Sequence, residues 1–151
     1  MSRPRIRIDI PDDVHFTTDI PIRISDINYG NHLGHDAVLS LAHEARVRFL
    51  AALGFTELDI DGAGLIMADA AVVYRSEAFY GETLRADVVV EALERSGFTL
   101  LYRLRASAEG REVARVRTGM VFFNYGTKRT VTVPPAFAAA MDAFRHRGDS
   151  P

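Results

Sequence analysis

Asp26, Asn28, His32, His35 and Asp36 crowd one polar, glycine-bearing stretch, DINYGNHLGHD, which runs directly into a long segment with little polar surface. Side chains of these types can accept backbone donors, orient water or move a proton. Their place adds to this. A helix start leaves backbone N–H groups without intrahelical partners, and such groups can hold a polarised oxygen. No other segment gathers so many chemically useful side chains. His32 can donate to a carbonyl or position water; its bland alternative is a loop histidine bonded to backbone. Asn28 can orient water or bond a substrate oxygen, but an amide cannot act as a base; otherwise it makes an Asx-turn. Asp26 offers a carboxylate, although anchoring the loop through backbone N–H groups is its favoured role. Asp36 reads as an N-cap, and His35 is a weaker candidate. His32 and His35 lie three apart, but no third ligand has convincing spacing, so no metal is expected.

The elements that must hold this stretch follow from periodicity. Phe16, Thr18, Ile20, Ile22 and Ile24 alternate with more polar residues and predict a strand. A helix is predicted over 36–53, with Gly54 just beyond its end. Val38, Leu41, Ala42, Ala45, Phe49 and Leu53 make one apolar face, while Leu39, Val47 and Leu50 lie roughly opposite. Such a helix is buried on two sides, against a curved sheet and against something else, such as a partner subunit. Strands follow over 65–79, 83–94, 98–107 and 112–125, with a short fifth at 129–133 and glycine-bearing turns between them, which predicts an antiparallel meander. Pro134-Pro135 ends strand pairing, and a short helix over 136–145 closes the chain. The order predicts one α+β domain over 1–151, with a core at 15–134, a loose N-terminal arm and a sheet wrapped round the helix.

Composition narrows the function. The chain has 151 residues, 48% hydrophobic and 25% charged, with net charge −2 and no cysteine. The charge argues against a nucleic-acid surface. Lack of cysteine excludes disulfides, thiolate metal sites and cysteine nucleophiles. No apolar run resembles a signal peptide or spans a bilayer, so a cytoplasmic protein without a membrane partner is expected. Neither a G-x-S-x-G elbow nor a glycine-rich phosphate loop is present. His15 and His146 read as terminal surface residues.

The run Asp26-Ile27-Asn28-Tyr29-Gly30-Asn31-His32-Leu33-Gly34-His35, then His43-Glu44-Ala45-Arg46, resembles the loop and helix of the 4-hydroxybenzoyl-CoA thioesterase-like branch of acyl-CoA thioesterases. The segment Tyr74-Arg75-Ser76-Glu77-Ala78-Phe79-Tyr80-Gly81-Glu82-Thr83-Leu84 resembles that family's strand–turn–strand. The resemblance implies a hotdog fold, five or six antiparallel strands around one long central helix. That branch typically reads D-x-D-x-x-G-H-x-N-N in the loop. Asn28 stands at its second Asp, often the catalytic carboxylate, Asn31 at the Gly before the His, and Gly34-His35 at the Asn pair. His32 and Asp26 match. Plant acyl-carrier-protein thioesterases use an Asp, an Asn and a His here, and their Asn position falls on Gly30.

What the resemblance implies is hydrolysis of an acyl-CoA or acyl-carrier-protein thioester by a homodimer or tetramer. No cofactor is expected, since coenzyme A is part of the substrate. Thioester hydrolysis needs an attacking water or carboxylate and donors for the developing oxyanion. Backbone N–H groups around Gly30 to Gly34 are the expected donors. Asn28, His32, Glu44 and Asp26 form the expected catalytic set. Glu44 matches a helix carboxylate that some hotdog thioesterases use; its alternative is a surface i,i+4 pair with Arg48. Tyr29, Gly30, Asn31, Gly34, His43 and Asp69 are the expected substrate contacts. His43 is expected to be partly buried. Asp69, a carboxylate within LIMADAAVVY, faces either the site, an interface or solvent at a sheet edge. Arg75, Arg103, Arg105, Arg115 and Arg117 can meet a CoA phosphate, although solvated strand-face charge is the stronger reading. The alternatives are a binding protein without turnover, favoured by Asn28 in place of Asp, and a hydratase or dehydratase.

Overall fold

A computed structural model describes residues 5–145. The chain runs β1 (Phe16–Pro21), α1 (His35–Ala52), β2 (Gly64–Tyr74), β3 (Thr83–Leu93), β4 (Gly97–Ala106), β5 (Glu112–Asn124), β6 (Arg129–Thr130) and α2 (Pro135–Arg145). All pairings are antiparallel, in the order β1-β3-β4-β5-β2, with β6 adding to the end of β5. Alternation along β3, β4 and β5 turns Leu84, Val88, Leu100, Leu104, Val116 and Phe122 onto one face, where they bury α1 through Val38, Leu41, Ala45 and Phe49. Phe137 and Met141 of α2 close the end of this core. The α+β arrangement of a sheet around one long helix is therefore present.

The expected meander holds for β3 to β5 and fails for β2. That strand pairs with β5, from Gly64↔Phe123 to Tyr74↔Ala114, and so lies at the sheet edge opposite β1. The segment after Tyr74 crosses to the far side rather than turning back as a hairpin. β1 is also shorter than predicted. It stops at Pro21, which cannot donate to a ladder, and Ile24–Asp26 form a 3-10 turn that leaves Ile24 exposed.

Helix α1 begins one residue earlier than predicted, and its N-cap is Gly34, not Asp36. The Asp36 carboxylate lies in the first turn, where it complements the positive end of the helix dipole without capping it. Gly54 follows the C-cap at φ 91°, a conformation that needs glycine. Of the second apolar side, Leu50 is buried, Leu39 half-buried and Val47 exposed in the single chain. No helix among the described residues is long and apolar enough to cross a membrane.

The N-terminal arm is not loose along residues 5–14. Ile8 and Ile10 pack on Val89 and Leu101 at the outer sheet face. Arg115 and Arg103 donate to the Ile8 and Ile10 carbonyls at 2.8 and 3.3 Å. His15 is likewise not a surface residue. Its side chain is 7% exposed, and its Nδ1 accepts the Val90 N–H at 2.9 Å, which requires that nitrogen unprotonated. Burial, then the positive charge of Arg145, hold its pKa below the usual 6.5, against the opposing pull of Asp13. The sign follows. Below about pH 6.5 the unfolded chain takes this proton before the folded one, so stability falls as pH falls from there towards the lowered folded value. Thermal unfolding at pH 7.5 and 5.5 checks this. His15→Asn, which keeps an acceptor but does not titrate, is expected to lose part of the acid-side drop; an identical drop in both proteins contradicts it. His146 lies outside the described residues.

Candidate active site

Residues 27–33 form a tight hairpin ahead of α1. Ile27 bridges Leu33, and Asn31 sits at the tip with φ 65°, a conformation Asn tolerates better than most residues. Asn28 organises the turn. Its Oδ1 accepts the N–H groups of Gly30 at 2.9 Å and His32 at 3.4 Å, an Asx-turn. Asp26 anchors the preceding turn. It is buried, and its carboxylate accepts the Arg23 backbone N–H at 2.8 Å and lies 3.5 Å from the Arg23 guanidinium. It therefore fills the anchoring role.

The loop spends its own backbone donors. The N–H groups of Gly30, Asn31, His32, Leu33 and Gly34 all have acceptors, namely Asn28, Asn28, Asn28, Ala78 and Asp26. This corrects the expectation that they serve an oxyanion. Donors without a partner among the described residues lie one step further on, at His35 and Asp36 in the first turn of α1.

His32 is held by one ring nitrogen. Nδ1 lies 3.1 Å from the Leu33 carbonyl oxygen, which can only accept, so Nδ1 carries a proton, and Nε2 is the nitrogen left to act as a base whenever the ring is neutral. Nε2 is 4.0 Å from Glu77 Oε1, a gap that suits a bridging water better than a direct bond. Gly30 keeps this nitrogen accessible: a Cβ there would stand 3.1 Å from His32 Nε2. Around them is a cavity of about 310 Å³ lined by Asn28, His32, Leu33, His35, Tyr74, Arg75, Ser76 and Glu77. The Tyr74 hydroxyl donates to the His35 carbonyl at 2.9 Å, tying β2 to the start of α1. Burial, with the nearby Asp36 charge, raises its pKa, which keeps this donor protonated.

Several expected residues lie elsewhere. Glu44 is about half a turn round α1 from His35, on the β1 side. Its carboxylate accepts from Arg48 Nε at 3.2 Å, and Arg48 also bonds Thr18 and the Asp19 carbonyl. One chain does not bring Glu44 to Asn28 and His32. His43 is exposed rather than partly buried, 2.6 Å from Glu57. Tyr29 is fully exposed. Asp69 sits at a β2 bulge on the outer face, where it accepts the Gly119 N–H at 3.1 Å, and it lines a different cavity beside Arg117. Arg105 and Arg115 are engaged with Asp87 and Glu112; Arg75 alone of the five lines the His32 cavity. Sequence reasoning missed Glu77 and Tyr74 as site residues. Both lie within the strand–turn–strand segment, and the Leu33 N–H to Ala78 carbonyl bond of 2.8 Å brings that segment to the loop.

The Asx-turn makes a direct prediction. Asn28→Ala strips the acceptor from two N–H groups and is expected to cost about 1 kcal/mol in denaturant titration. Asn28→Asp keeps that oxygen and is expected to cost much less. Equal losses in both contradict the anchoring role.

A model described as the thioesterase-like superfamily matches residues 22–141 of the chain. No curated relative matches the sequence. Among solved structures, the chain is similar to a 1,4-dihydroxy-2-naphthoyl-CoA thioesterase from Synechocystis, with 16% identity and a TM-score of 0.77, over 90% of this chain and 98% of that one. A DHNA-CoA thioesterase from Staphylococcus aureus gives 19% and 0.78, over 88% and 92%. A further Staphylococcus aureus protein, solved in complex with CoA, gives 17% and 0.79, over 90% and 85%. Identities this low carry the fold alone.

Proposed function

Since the chain belongs to the thioesterase-like superfamily, we propose that it hydrolyses acyl-CoA thioesters to the free acid and coenzyme A, using the cavity around His32. The observation that carries this reading is the His32 Nε2, facing Glu77 across 4.0 Å beside a helix start with unspent donors. A water between Nε2 and Glu77 attacks the thioester carbonyl carbon and passes its proton to Nε2. Glu77 stabilises the imidazolium that forms. The N–H groups of His35 and Asp36 hold the oxyanion, aided by the helix dipole. The C–S bond then breaks, and the departing thiolate takes the proton from His32. Asn28 and Asp26 shape the loop, and Tyr74 fixes the helix start against β2. The CoA-bound neighbour supports a CoA thioester as the substrate class.

A homodimer or tetramer fits the same reading. β2 lies at the sheet edge, and beyond Leu65, whose N–H bonds the Glu57 carbonyl at 2.8 Å, its exposed centre is Met67-Ala68-Asp69-Ala70. A long edge with one charge is a pairing surface unless covered. Beside it, Val47 and Met67 expose apolar surface.

Release of free thiol from a panel of acyl-CoA and acyl-carrier-protein thioesters tests the function. Turnover of at least one member is expected. Binding of acyl-CoA with no thiol released from any member overturns it in favour of a non-catalytic acyl-binding protein.

A further inference from the structure

The strap 75–82 carries the chain from β2, at one edge of the sheet, to β3, which pairs with β1 at the other. Its residues Arg75, Ser76 and Glu77 line the His32 cavity. No strand ladder holds such a connection, so its place depends on individual bonds. At its start, the N–H groups of Arg75 and Ser76 both donate to the Val113 carbonyl, at 2.8 and 3.2 Å, and the Ser76 hydroxyl donates to the Glu112 carbonyl at 2.7 Å. In its middle, Ala78 is fully buried, and its carbonyl accepts the Leu33 N–H of the 27–33 hairpin at 2.8 Å. At its end, the Glu82 N–H donates to the Phe79 carbonyl at 3.1 Å and closes a turn with Gly81 at φ 94°.

The Glu82 side chain braces that turn. Its Oε1 accepts the Phe79 N–H at 2.8 Å. Arg111, one residue ahead of β5, donates through Nη2 to Oε1 at 3.0 Å and to Oε2 at 2.8 Å, while its Nη1 meets Glu109. The Arg111 and Glu82 side chains are 32% and 26% exposed, so these charge-assisted bonds are only partly screened by solvent. The residue fixed in this way, Phe79, directly follows Ala78, and Glu77 comes one step before that. Among the described residues nothing hydrogen-bonds the Glu77 carboxylate, which faces His32 Nε2 across 4.0 Å. Its place therefore comes from the backbone of the strap.

We propose that Glu82, braced by Arg111, is a positioning residue of the His32 site: it holds the strap against the 27–33 hairpin and so sets where Glu77 stands. This inference rests on the thioesterase reading of the His32 cavity. The alternative is an ion pair that only steadies the turn between β4 and β5.

The test compares Glu82→Ala with Glu82→Gln, which keeps an oxygen for the Phe79 N–H but loses the charge that Arg111 pairs. Glu82→Ala is expected to lower kcat about fivefold with KM little changed, because a misplaced group is lost to the transition state. Glu82→Gln is expected to recover part of that loss. In a Glu77→Gln background, Glu82→Ala is expected to add less than about twofold, since the residue it positions is already gone. Wild-type kcat in Glu82→Ala, or losses that simply multiply in the double variant, overturn the proposal. Amide exchange read by NMR separates positioning from general loosening. The Leu33 N–H is expected to exchange about tenfold faster in Glu82→Ala, while the ladder amides of Val88 and Leu100 keep their rates. Unchanged exchange at Leu33, or equal acceleration at all three, overturns it. If Glu82→Ala does not fold, Glu82→Gln answers in its place by the same exchange comparison. Failure of the thioesterase reading is a separate result, with no thiol released from any acyl-CoA, and exchange at Leu33 then decides the inference alone.

Discussion

His32→Gln is expected to lower kcat for the best acyl-CoA substrate by about a hundredfold to ten-thousandfold, the range supplied by a positioned general base. Gln keeps much of the ring's size and places its amide where Nε2 stands, giving up only the bond of 3.1 Å from Nδ1 to the Leu33 carbonyl. It has no basic nitrogen to take a proton from water. The fold does not depend on the ring, which is partly exposed at the mouth of the cavity, so unfolding midpoints should stay close to wild type. KM should change far less than kcat, since the proton transfer belongs to the transition state. Steady-state thiol release with a matched thermal melt reads both quantities. Wild-type kcat in a well-folded variant would show that His32 is only a loop residue bonded to backbone.

Phe49→Ala carries the largest expected loss of stability. Phe49 has no exposed surface, and its ring centroid lies 5.7 Å from Phe16 and 5.8 Å from Phe144. One side chain of α1 thus joins β1 and α2 through an aromatic cluster. Truncation removes the ring's transfer energy and leaves a cavity that a close-packed core fills only in part. Such changes cost about 3–5 kcal/mol, against a total of about 5–15 kcal/mol for a typical domain. A fall in Tm of roughly 6–20 °C is expected for a chain of this size. The His32 cavity is at the other end of α1, so kcat per folded molecule at low temperature should hold. A drop of only a degree or two contradicts the packing described for α1.

Much of this organisation was legible in the residues. Helix α1 was readable because Val38, Leu41, Ala45 and Phe49 share one face and Gly54 stops it. The strands were readable from alternation and from glycine turns. The place of β2 was not. Its pattern suits any neighbouring strand, and pairing with β5 depends on a crossover that local sequence does not encode. His15 was missed because an isolated polar residue near a terminus carries no pattern, and only the packing of β3 shows its Val90 partner. Asn28 gave its structural role away through the Asx-turn spacing to Gly30. Glu44 could have been placed on the wrong flank from its nine-residue offset from His35; the resemblance drew it into the site. Glu77 is over forty residues from His32 in sequence and meets it through the tertiary bond between Leu33 and Ala78. No local spacing signals that meeting.

The proposed mechanism makes Glu77, facing His32 within one chain, the site's carboxylate rather than Glu44. The most direct measurement is kcat/KM for Glu77→Gln and Glu44→Gln side by side, on the acyl-CoA that the wild type hydrolyses best. Loss of the neighbouring charge in Glu77→Gln is expected to lower the rate about tenfold, because Glu77 is itself 64% exposed and stands 4.0 Å from Nε2. Glu44→Gln removes only a partly exposed pair with Arg48 and is expected to stay within a few-fold of wild type. The opposite ranking, with Glu44→Gln inactive and Glu77→Gln near wild type, would contradict the account.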